Sequence, residues 1–263
     1  MDLNLTGKLA LVSGSTAGIG LAIASTLAQE GARVIVNGRA QSSVDDVVAQ
    51  LKAQTGGDVV GFAGDLSTAA SAEELARRYP DVEILVNNLG IFEPKDFFDI
   101  PDEDWSRFFE VNVMSGVRLS RAYLKGMLAR DRGRVVFISS ESGLNIPVEM
   151  VHYGVTKTAQ ISLARGLAKL TRGTGVTVNS VLPGPTMTDG VKEFLREMAE
   201  ESGKSIDETA TDFVRTHRPT SIIGRMATPE EVANMVVYAV SPQAAATNGA
   251  ALRVDGGVVD TIA

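Results

Sequence analysis

The chain lacks cysteine altogether and has only two histidines, His152 and His217, among its 263 residues. Without cysteine it can form neither disulfides nor thiolate metal sites, and it has no thiol nucleophile. Two histidines are too few for an ordinary histidine-based zinc site. We therefore expect no metal centre.

Long hydrophobic runs and excess positive charge are also missing. No window reaches the roughly 20 apolar residues that a membrane span requires, and the N-terminal stretch MDLNLTGKLALVSG has no basic segment followed by a long apolar run, as a signal peptide would have. The net charge of −7 argues against binding to nucleic acid or to an anionic membrane surface. We expect a cytoplasmic protein that acts on a small molecule, with neither nucleic acid nor membrane as a partner.

What the sequence does contain is a regular alternation of two patterns. Short runs rich in Val and Ile, typical of buried strands, alternate with stretches of helical periodicity that end at glycine. The strand-like runs lie at 9–14, 33–38, 59–65, 83–88, 134–140 and 176–184, with a seventh in GAALRVDGG at 249–257. This order predicts an α/β fold with a doubly wound (Rossmann) parallel sheet of about seven strands and helices on both faces. No linker or shift in composition divides residues 1–263, which favours a single domain over two small ones.

The stretch SGSTAGIG, at 13–20, follows the first strand and opens the first helix. Its glycines permit a tight turn and let backbone N–H groups approach a pyrophosphate. The helix start behind them supplies further donors and the positive end of a dipole. A glycine turn between strand and helix also occurs as a plain turn, but this one lies at the edge of the sheet where doubly wound folds bind dinucleotides.

The stretch HYGVTK contains Tyr153 and Lys157, four residues apart in a helical pattern. That spacing brings a phenol and an ammonium to the same face of a helix. Taken alone, the spacing favours an ordinary surface helix over a catalytic pair.

Six motifs in this order resemble those of the short-chain dehydrogenase/reductase family, and the resemblance runs from about Leu5 to the end of the chain. Two positions depart from the family pattern, Ser13 for threonine and Leu89 for alanine. The motifs are SGSTAGIG (13–20), NNLG (87–90), Asn112 in FEVNVMSG, Ser140 in FISSESG, YGVTK (153–157) and PGPTMT (183–188). The closest resemblance within the family is to the 3-oxoacyl-carrier-protein reductases.

The resemblance implies an oxidoreductase that transfers a hydride between a nicotinamide cofactor and a secondary alcohol or ketone. Tyr153 would be the general acid or base, and Ser140, rather than Ser139, would polarise the carbonyl. Lys157 would hold the nicotinamide ribose and lower the pKa of the tyrosine from its usual value near 10. Asn112 would position a water in a proton relay. The alternative is a dinucleotide-binding redox sensor or scaffold without turnover.

The resemblance also implies a set of cofactor contacts. Asp65 would lie against the adenine, although an aspartate there also fits a helix N-cap. Thr186 and Thr188 would reach the nicotinamide and the pyrophosphate, although both also fit loop caps. The full predicted set is Gly14, Ser15, Thr16, Gly18, Ile19, Gly20, Arg39, Asp65, Leu66, Asn88, Gly90, Tyr153, Lys157, Pro183, Gly184, Thr186 and Thr188.

The end of the second strand, VIVNGRA, bears on the choice of dinucleotide. NAD sites usually place an acid there to bind the ribose 2′-hydroxyl, and NADP sites need an arginine for the 2′-phosphate. Here Gly38 occupies the position of the acid and Arg39 follows it. The pattern favours NADP, while NAD stays open because Ala17 stands where many NADP-binding members of the family have a second basic residue.

Substrate and assembly are less well determined by the sequence. Residues 187–222 read as two short helices that would form a substrate lid, although their mixed charge also fits a solvated face. A 3-oxoacyl thioester on an acidic carrier would need basic residues, for which Arg130, Arg132, Arg134 and Arg172 are candidates; a sugar, a steroid-like alcohol or another small ketone stays open. The resemblance implies a homotetramer, and the small apolar residues of TKTAQISLARGLAKL fit such packing or a helix core.

Overall fold

The computed structural model describes residues 2–262. Seven strands in this range form one parallel sheet in the order β3-β2-β1-β4-β5-β6-β7. They are Leu9–Val12 (β1), Arg33–Gly38 (β2), Val59–Ala63 (β3), Ile84–Asn87 (β4), Gly133–Ile138 (β5), Val176–Pro183 (β6) and Ala251–Val254 (β7). The predicted doubly wound fold is confirmed, and its strand order reverses between β1 and β4.

The helices fill the crossovers between the strands. A π-helical turn, Glu110–Met114, joins the helices Asp102–Phe109 and Ser115–Ala129. Short 3₁₀ turns follow β5 and precede the helix Val151–Leu170. The α-helices are Gly18–Gln29 (α1), Gln41–Thr55 (α2), Ala69–Arg78 (α3), Asp102–Phe109 (α4), Ser115–Ala129 (α5), Val151–Leu170 (α6), Asp189–Ser202 (α7), Ile206–His217 (α8) and Pro229–Val240 (α9). None of the helices within 2–262 is long and apolar enough to cross a bilayer.

Side chains of successive strand residues point to opposite faces of the sheet, so each strand contributes to two cores. Val34 and Val36 pack on the face covered by α1, α2 and α9. Ile35, between them, packs on the face covered by α3, α5 and α6. Burying each such side chain stabilises the fold by roughly 1.5–3 kcal/mol relative to exposure. This double burial explains why the strands read as continuous apolar runs.

Some predicted strands were longer than those observed, because their last residues turn away to build the site. β1 ends at Val12 and not at residue 14, since Gly14 has a φ of +60° that no strand residue adopts. β5 ends at Ile138, and Ser140 instead accepts a hydrogen bond at the start of the next turn. The side chains with the most chemistry therefore follow the strands.

Residues 187–222 contain two helices, α7 and α8. The hydroxyl of Thr188 caps the start of α7, and Ser205 and Glu208 form a capping box at the start of α8. A small apolar cluster of Leu195, Ala210, Val214 and Met226 joins the two helices. The segment thus has a core of its own, separate from the two cores of the sheet.

Candidate active site

The glycine loop between β1 and α1 has a backbone shape that depends on its glycines. Gly14 and Gly18 have φ angles of +60° and +55°, which favour glycine. A Cβ on Gly20 would lie 2.4 Å from the Gly14 carbonyl oxygen and 2.5 Å from the Asn88 amide nitrogen. The helix can approach the strand this closely only because residue 20 has no side chain.

Asn37, on β2, holds this loop in place and was not among the predicted site residues. Its side-chain oxygen accepts a hydrogen bond from the Gly14 N–H at 3.0 Å, and its amide donates to the carbonyls of Phe62 and Gly64 at 3.1 and 3.0 Å. Ser15 donates to Val12 at 2.7 Å and accepts from the Asn37 N–H at 2.9 Å. The sequence signal was available: Asn37 is a polar residue inside an otherwise apolar strand.

Asn88 and Ser13 join the same loop to the end of β4. The Asn88 amide donates to the carbonyls of Ser13 and Gly14, both at 2.9 Å. The Ser13 hydroxyl accepts from the N–H groups of Asn88 and Leu89, both at 3.0 Å. Serine at position 13 therefore supplies the acceptor at this point, and Asn88 organises the loop from behind.

The start of α1 is open to an anion. No described side chain caps it, and its first turn contains no acidic residue. The first N–H groups of a helix have no intrahelical partners and carry partial positive charge. Thr188 lies against the loop, with its methyl carbon 3.3 Å from where a Cβ on Gly18 would be. These features fit the pyrophosphate of a dinucleotide.

The end of β2 has space and charge for a phosphate. Arg39 is exposed and makes no hydrogen bond or ion pair with any other described residue. A Cβ on Gly38 would lie 2.5 Å from the Thr16 methyl group, so an acidic side chain at residue 38 requires Thr16 to move.

Asp65 does not cap α3, because that role belongs to Thr68. The Asp65 carboxylate instead accepts from the N–H and hydroxyl of Ser67, at 3.0 and 2.7 Å, and remains exposed. Leu66 is fully buried in the core, so only its backbone can meet a cofactor. Ile19 is partly buried and packs on the opposite core.

Helix α6 and the end of β5 bring the predicted catalytic residues together. The Lys157 ammonium lies 5.5 Å from the centre of the Tyr153 ring and donates to the Ile138 carbonyl at 3.0 Å. The Ser140 hydroxyl accepts from the Ser142 N–H at 3.1 Å, and it lies close enough to the Tyr153 phenol to lower the pKa of that group. Ser139 donates to the Lys157 carbonyl at 2.8 Å and so braces the helix, which favours Ser140 as the residue that faces substrate.

The electrostatics of the pair differ from the sequence-based expectation. Burial raises the pKa of Tyr153 to about 12, against the lowering effect of the Ser140 hydrogen bond. Burial lowers the pKa of Lys157 to about 8. In the chain alone, desolvation therefore outweighs any effect of the lysine, and the tyrosine holds its proton at neutral pH. The expected lowering of the tyrosine pKa is not a property of the chain by itself.

Asn112 lies in the π-helical turn between α4 and α5. Its side chain accepts from the Ile91 N–H at 2.8 Å and donates to the Ile91 carbonyl and the Thr156 hydroxyl, both at 3.0 Å. A Cβ on Gly90 would lie 3.3 Å from the Lys157 nitrogen and 3.6 Å from the Asn112 oxygen. Asn112, Gly90 and Lys157 therefore meet at one point, and π-turns are frequent at functional sites.

The segment after β6 closes the same edge of the sheet. Pro183 ends the strand, and Gly184 lies so close to Asp255 that a Cβ would be 2.7 Å from its carbonyl oxygen. Thr186 donates to the Gly184 carbonyl at 2.9 Å. Thr188 caps α7, and its methyl carbon is 3.3 Å from where a Cβ on Gly18 would lie. Both threonines therefore do cap local backbone, and their positions beside the loop also suit cofactor contact.

The four arginines considered for an acidic carrier lie away from this site. Arg134 lies opposite Ile84 and Thr177, near the starts of β4 and β6 at the amino-terminal edge of the sheet. Arg172 follows the far end of α6. Arg130 pairs with Asp81, and Arg132 with Glu83. They offer no basic surface around Ser140 and Tyr153.

Across residues 2–262, no group of three or more His, Asp or Glu side chains is placed to hold a metal ion.

Comparison with known proteins agrees with the geometry. Residues 8–199 match the family model described as short chain dehydrogenase. The chain is 52% identical to an uncharacterized oxidoreductase of Bacillus subtilis, YvaG, over the full length of both. It is 33% identical to the 3-oxoacyl-[acyl-carrier-protein] reductase FabG of Vibrio cholerae, over 97% of this chain and 99% of that one.

A solved structure is similar along the whole chain. The L-sorbose reductase of Gluconobacter frateurii, complexed with NADPH and L-sorbose, superposes with a TM-score of 0.94 at 30% identity, and the match covers 100% of both chains. The chain therefore belongs to the short chain dehydrogenase family, which confirms the predicted class: an oxidoreductase of alcohols and ketones that uses a nicotinamide dinucleotide.

Proposed function

We propose that this chain catalyses hydride transfer between NADP(H) and a secondary alcohol or ketone, with Tyr153 as its proton donor and acceptor. The observation that carries the proposal is the meeting of the Ser140 hydroxyl, the Tyr153 phenol and the Lys157 ammonium at the sheet edge. The glycine loop lies at the same edge. This arrangement favours an enzyme over a sensor that only binds the dinucleotide.

In the reducing direction, the substrate oxygen receives a hydrogen bond from Ser140 and a proton from Tyr153. A tyrosine whose pKa burial has raised to about 12 is protonated at neutral pH and ready to donate. Lys157 then stabilises the phenolate that remains. Asn112, which meets Lys157 across Gly90, positions a water that returns the proton. A bound nicotinamide dinucleotide supplies or takes the hydride.

The proposed cofactor preference is for NADP(H). Gly38 leaves no acid for a ribose hydroxyl, and the exposed Arg39 is free to pair with a 2′-phosphate. The sorbose reductase, of similar structure, is complexed with NADPH, which supports the same preference.

For the substrate we propose a small ketone of the sugar type, in preference to a 3-oxoacyl thioester on an acidic carrier protein. The arginines that would grip such a carrier lie at the opposite edge of the sheet. The sorbose reductase is also similar in structure along the full chain, with a TM-score of 0.94 that includes residues 187–222. We propose this segment as the substrate lid, since Thr188 at its start both caps α7 and touches the glycine loop.

A substrate panel tests this proposal. L-Sorbose, fructose, a simple cyclic ketone and acetoacetyl-coenzyme A would each be mixed with NADPH, and loss of the absorbance of the reduced nicotinamide would be followed. We expect kcat/KM to be highest for a sugar ketone. A thioester that is reduced more than tenfold better than every sugar would overturn the substrate class, and no turnover of any ketone or of the matching alcohols with NADP would overturn the function.

We also propose a homotetramer, assembled on the helices that carry Asn112 and Tyr153. Gly166 on α6 faces open space and Leu170 is 63% exposed, as an interface between helices would require. Light scattering at micromolar concentration should give four times the chain mass, and a monomer mass would contradict the proposal.

A further inference from the structure

A buried ion pair joins the end of α8 to the turn that follows Ser140. Arg218 comes directly after α8, and Glu141 comes directly after Ser140. The Arg218 Nε atom donates to Glu141 Oε1 at 2.8 Å, and the two side chains are only 9% and 3% exposed. The two residues are 77 positions apart in sequence, so the contact exists only in the folded chain.

The same guanidinium also reaches the turn that leads into α6. Its Nη1 atom donates to Glu149 Oε1 at 3.3 Å and to the His217 carbonyl at 2.7 Å. Glu141 Oε1 accepts a second hydrogen bond, from the Ser142 hydroxyl at 3.1 Å. Arg218 therefore holds both the turn after Ser140 and the turn four residues before Tyr153.

A purely structural role does not account for these charges. A buried ion pair costs so much to desolvate that apolar side chains of similar volume stabilise a fold as well or better. Glu141 Oε2 is buried and has no hydrogen-bond partner among the described residues. The fold thus accepts an incompletely satisfied carboxylate next to Ser140, and the arginine is what makes it tolerable.

Both charges act on the tyrosine. Glu141 raises the pKa of Tyr153 and Arg218 lowers it, beyond the larger effects of burial and of the Ser140 hydrogen bond. Lys157 faces the tyrosine from its own helix. Asp255 acts to raise the pKa of Glu141, and Glu149 acts to raise the pKa of Arg218. The two charges of the pair therefore act in opposite directions on the phenol.

We propose that Arg218 and Glu141 are positioning residues of the reaction: their ion pair fixes the turn that carries Ser140, and it attaches the proposed lid to that turn. When the proposed lid closes, the ion pair would then also place the Ser140 hydroxyl that polarises the substrate carbonyl. The inference rests on the proposed function, because it assigns Tyr153 and Ser140 their roles.

The test is the pH dependence of kcat/KM in three variants. Arg218→Met removes the positive charge. It should move the limb of the pH–rate profile that is assigned to Tyr153 to higher pH. Glu141→Gln keeps the shape and removes the negative charge, so it should move the same limb to lower pH. Each shift should be on the order of one pH unit, and the double variant should return close to the original limb. Limbs that move in the same direction, or not at all, would overturn the proposal.

Two further variants keep the test decisive. Arg215→Met removes an exposed arginine from α8 that pairs with Asp212 and should leave the profile unchanged. Arg218→Lys keeps the charge and loses the fork of donors, so it should raise KM several-fold and leave the limb in place. If Arg218→Met does not fold, two variants carry the comparison: Glu141→Gln, in which Arg218 keeps Glu149 as its partner, and the double variant, which removes both buried charges. An unmoved limb in Glu141→Gln alone suffices for refutation.

The outcome for Tyr153→Phe separates this inference from the proposed function. If that variant retains much of its activity, the proposed function is wrong. If Tyr153→Phe is inactive and the pH–rate limbs of the ion-pair variants coincide with that of the unmutated protein, only the positioning role is wrong.

Discussion

Replacing Arg39 with alanine is expected to remove most of the preference for NADPH over NADH. Arg39 is exposed at the end of β2 and makes no ion pair within residues 2–262, so no existing contact must break for it to reach a 2′-phosphate. A charge-assisted hydrogen bond contributes roughly 1.5–3 kcal/mol, which corresponds to a preference of about ten- to a hundredfold. Exposed charge pairs are screened by water and salt, so we expect the lower end of this range.

The assay is titration of both reduced cofactors, followed by the change in their fluorescence on binding. The affinity for NADPH should fall about tenfold in Arg39→Ala, and the affinity for NADH should stay within twofold. In the unmutated protein the preference should shrink as salt is added. Arg33→Ala is the matched control, since Arg33 is an exposed arginine at the other end of β2 that pairs with Asp58. Equal affinity of the unmutated protein for both cofactors would refute the reasoning.

The same geometry predicts how the preference can be reversed. Gly38→Asp alone should weaken both cofactors, because its Cβ would lie 2.5 Å from the Thr16 methyl group. Gly38→Asp combined with Thr16→Ala and Arg39→Ala should bind NADH better than NADPH. A triple variant that still prefers NADPH would show that the preference does not reside at this strand end.

Three further predictions concern the loop, the lysine and a buried histidine. Gly20→Ala should weaken cofactor binding and cost about 1–3 kcal/mol in urea unfolding, because its Cβ would lie 2.4 Å from the Gly14 carbonyl oxygen. Gly190→Ala on α7, where a Cβ meets nothing within 4 Å, is the control for unfolding and should be neutral or stabilising. Lys157→Met should lose turnover, yet its free energy of unfolding in urea at pH 7 should rise by on the order of 1–3 kcal/mol. Burial lowers the pKa of Lys157 from 10.5 to about 8. Below pH 8 the lysine is charged in both states, so the folded protein bears the full cost of burying that charge. Burial also lowers the pKa of His152, whose ring nitrogens have no hydrogen-bond partner among the described residues. As pH drops below about 6.5, the unfolded chain therefore binds a proton at this histidine more readily than the folded chain does, and the folded state loses stability. His152→Leu should reduce that loss of stability between pH 8 and pH 5.5. An unchanged or lower midpoint for Lys157→Met, or parallel pH curves for His152→Leu and the unmutated chain, would contradict these arguments.

The seven strands and the backbone shape of the glycine loop could be predicted because each depends on local sequence. A strand buried on both faces appears in the sequence as an apolar run, as Arg33–Gly38 does. The positions of the glycines in the loop after β1 predict a tight turn. Motif order along the chain then placed Ser140, Tyr153 and Lys157 at one edge of the sheet, and the structure brings them together.

The contacts that could not be predicted join residues far apart in sequence. Nothing near Glu141 announces that an arginine 77 positions later will pair with it. Burial was equally hidden: the spacing of Tyr153 and Lys157 suggested that the lysine charge sets the tyrosine pKa, whereas desolvation of both groups dominates in the chain alone. Desolvation depends on what the rest of the fold packs around a group, which a helical spacing does not report.

The proposed role of Tyr153 in proton transfer can be tested by a single substitution. Tyr153→Phe removes one oxygen and keeps the ring that packs edge-on against Phe92, with centroids 6.3 Å apart. Ketone reduction with NADPH would be measured for both proteins, with NADPH affinity measured alongside. We expect an affinity for NADPH within a few-fold of that of the unmutated protein. We expect turnover to fall by about 10²–10⁴, the usual contribution of general acid–base catalysis. A Tyr153→Phe protein that binds NADPH normally and retains more than a tenth of the turnover would contradict the proposed role.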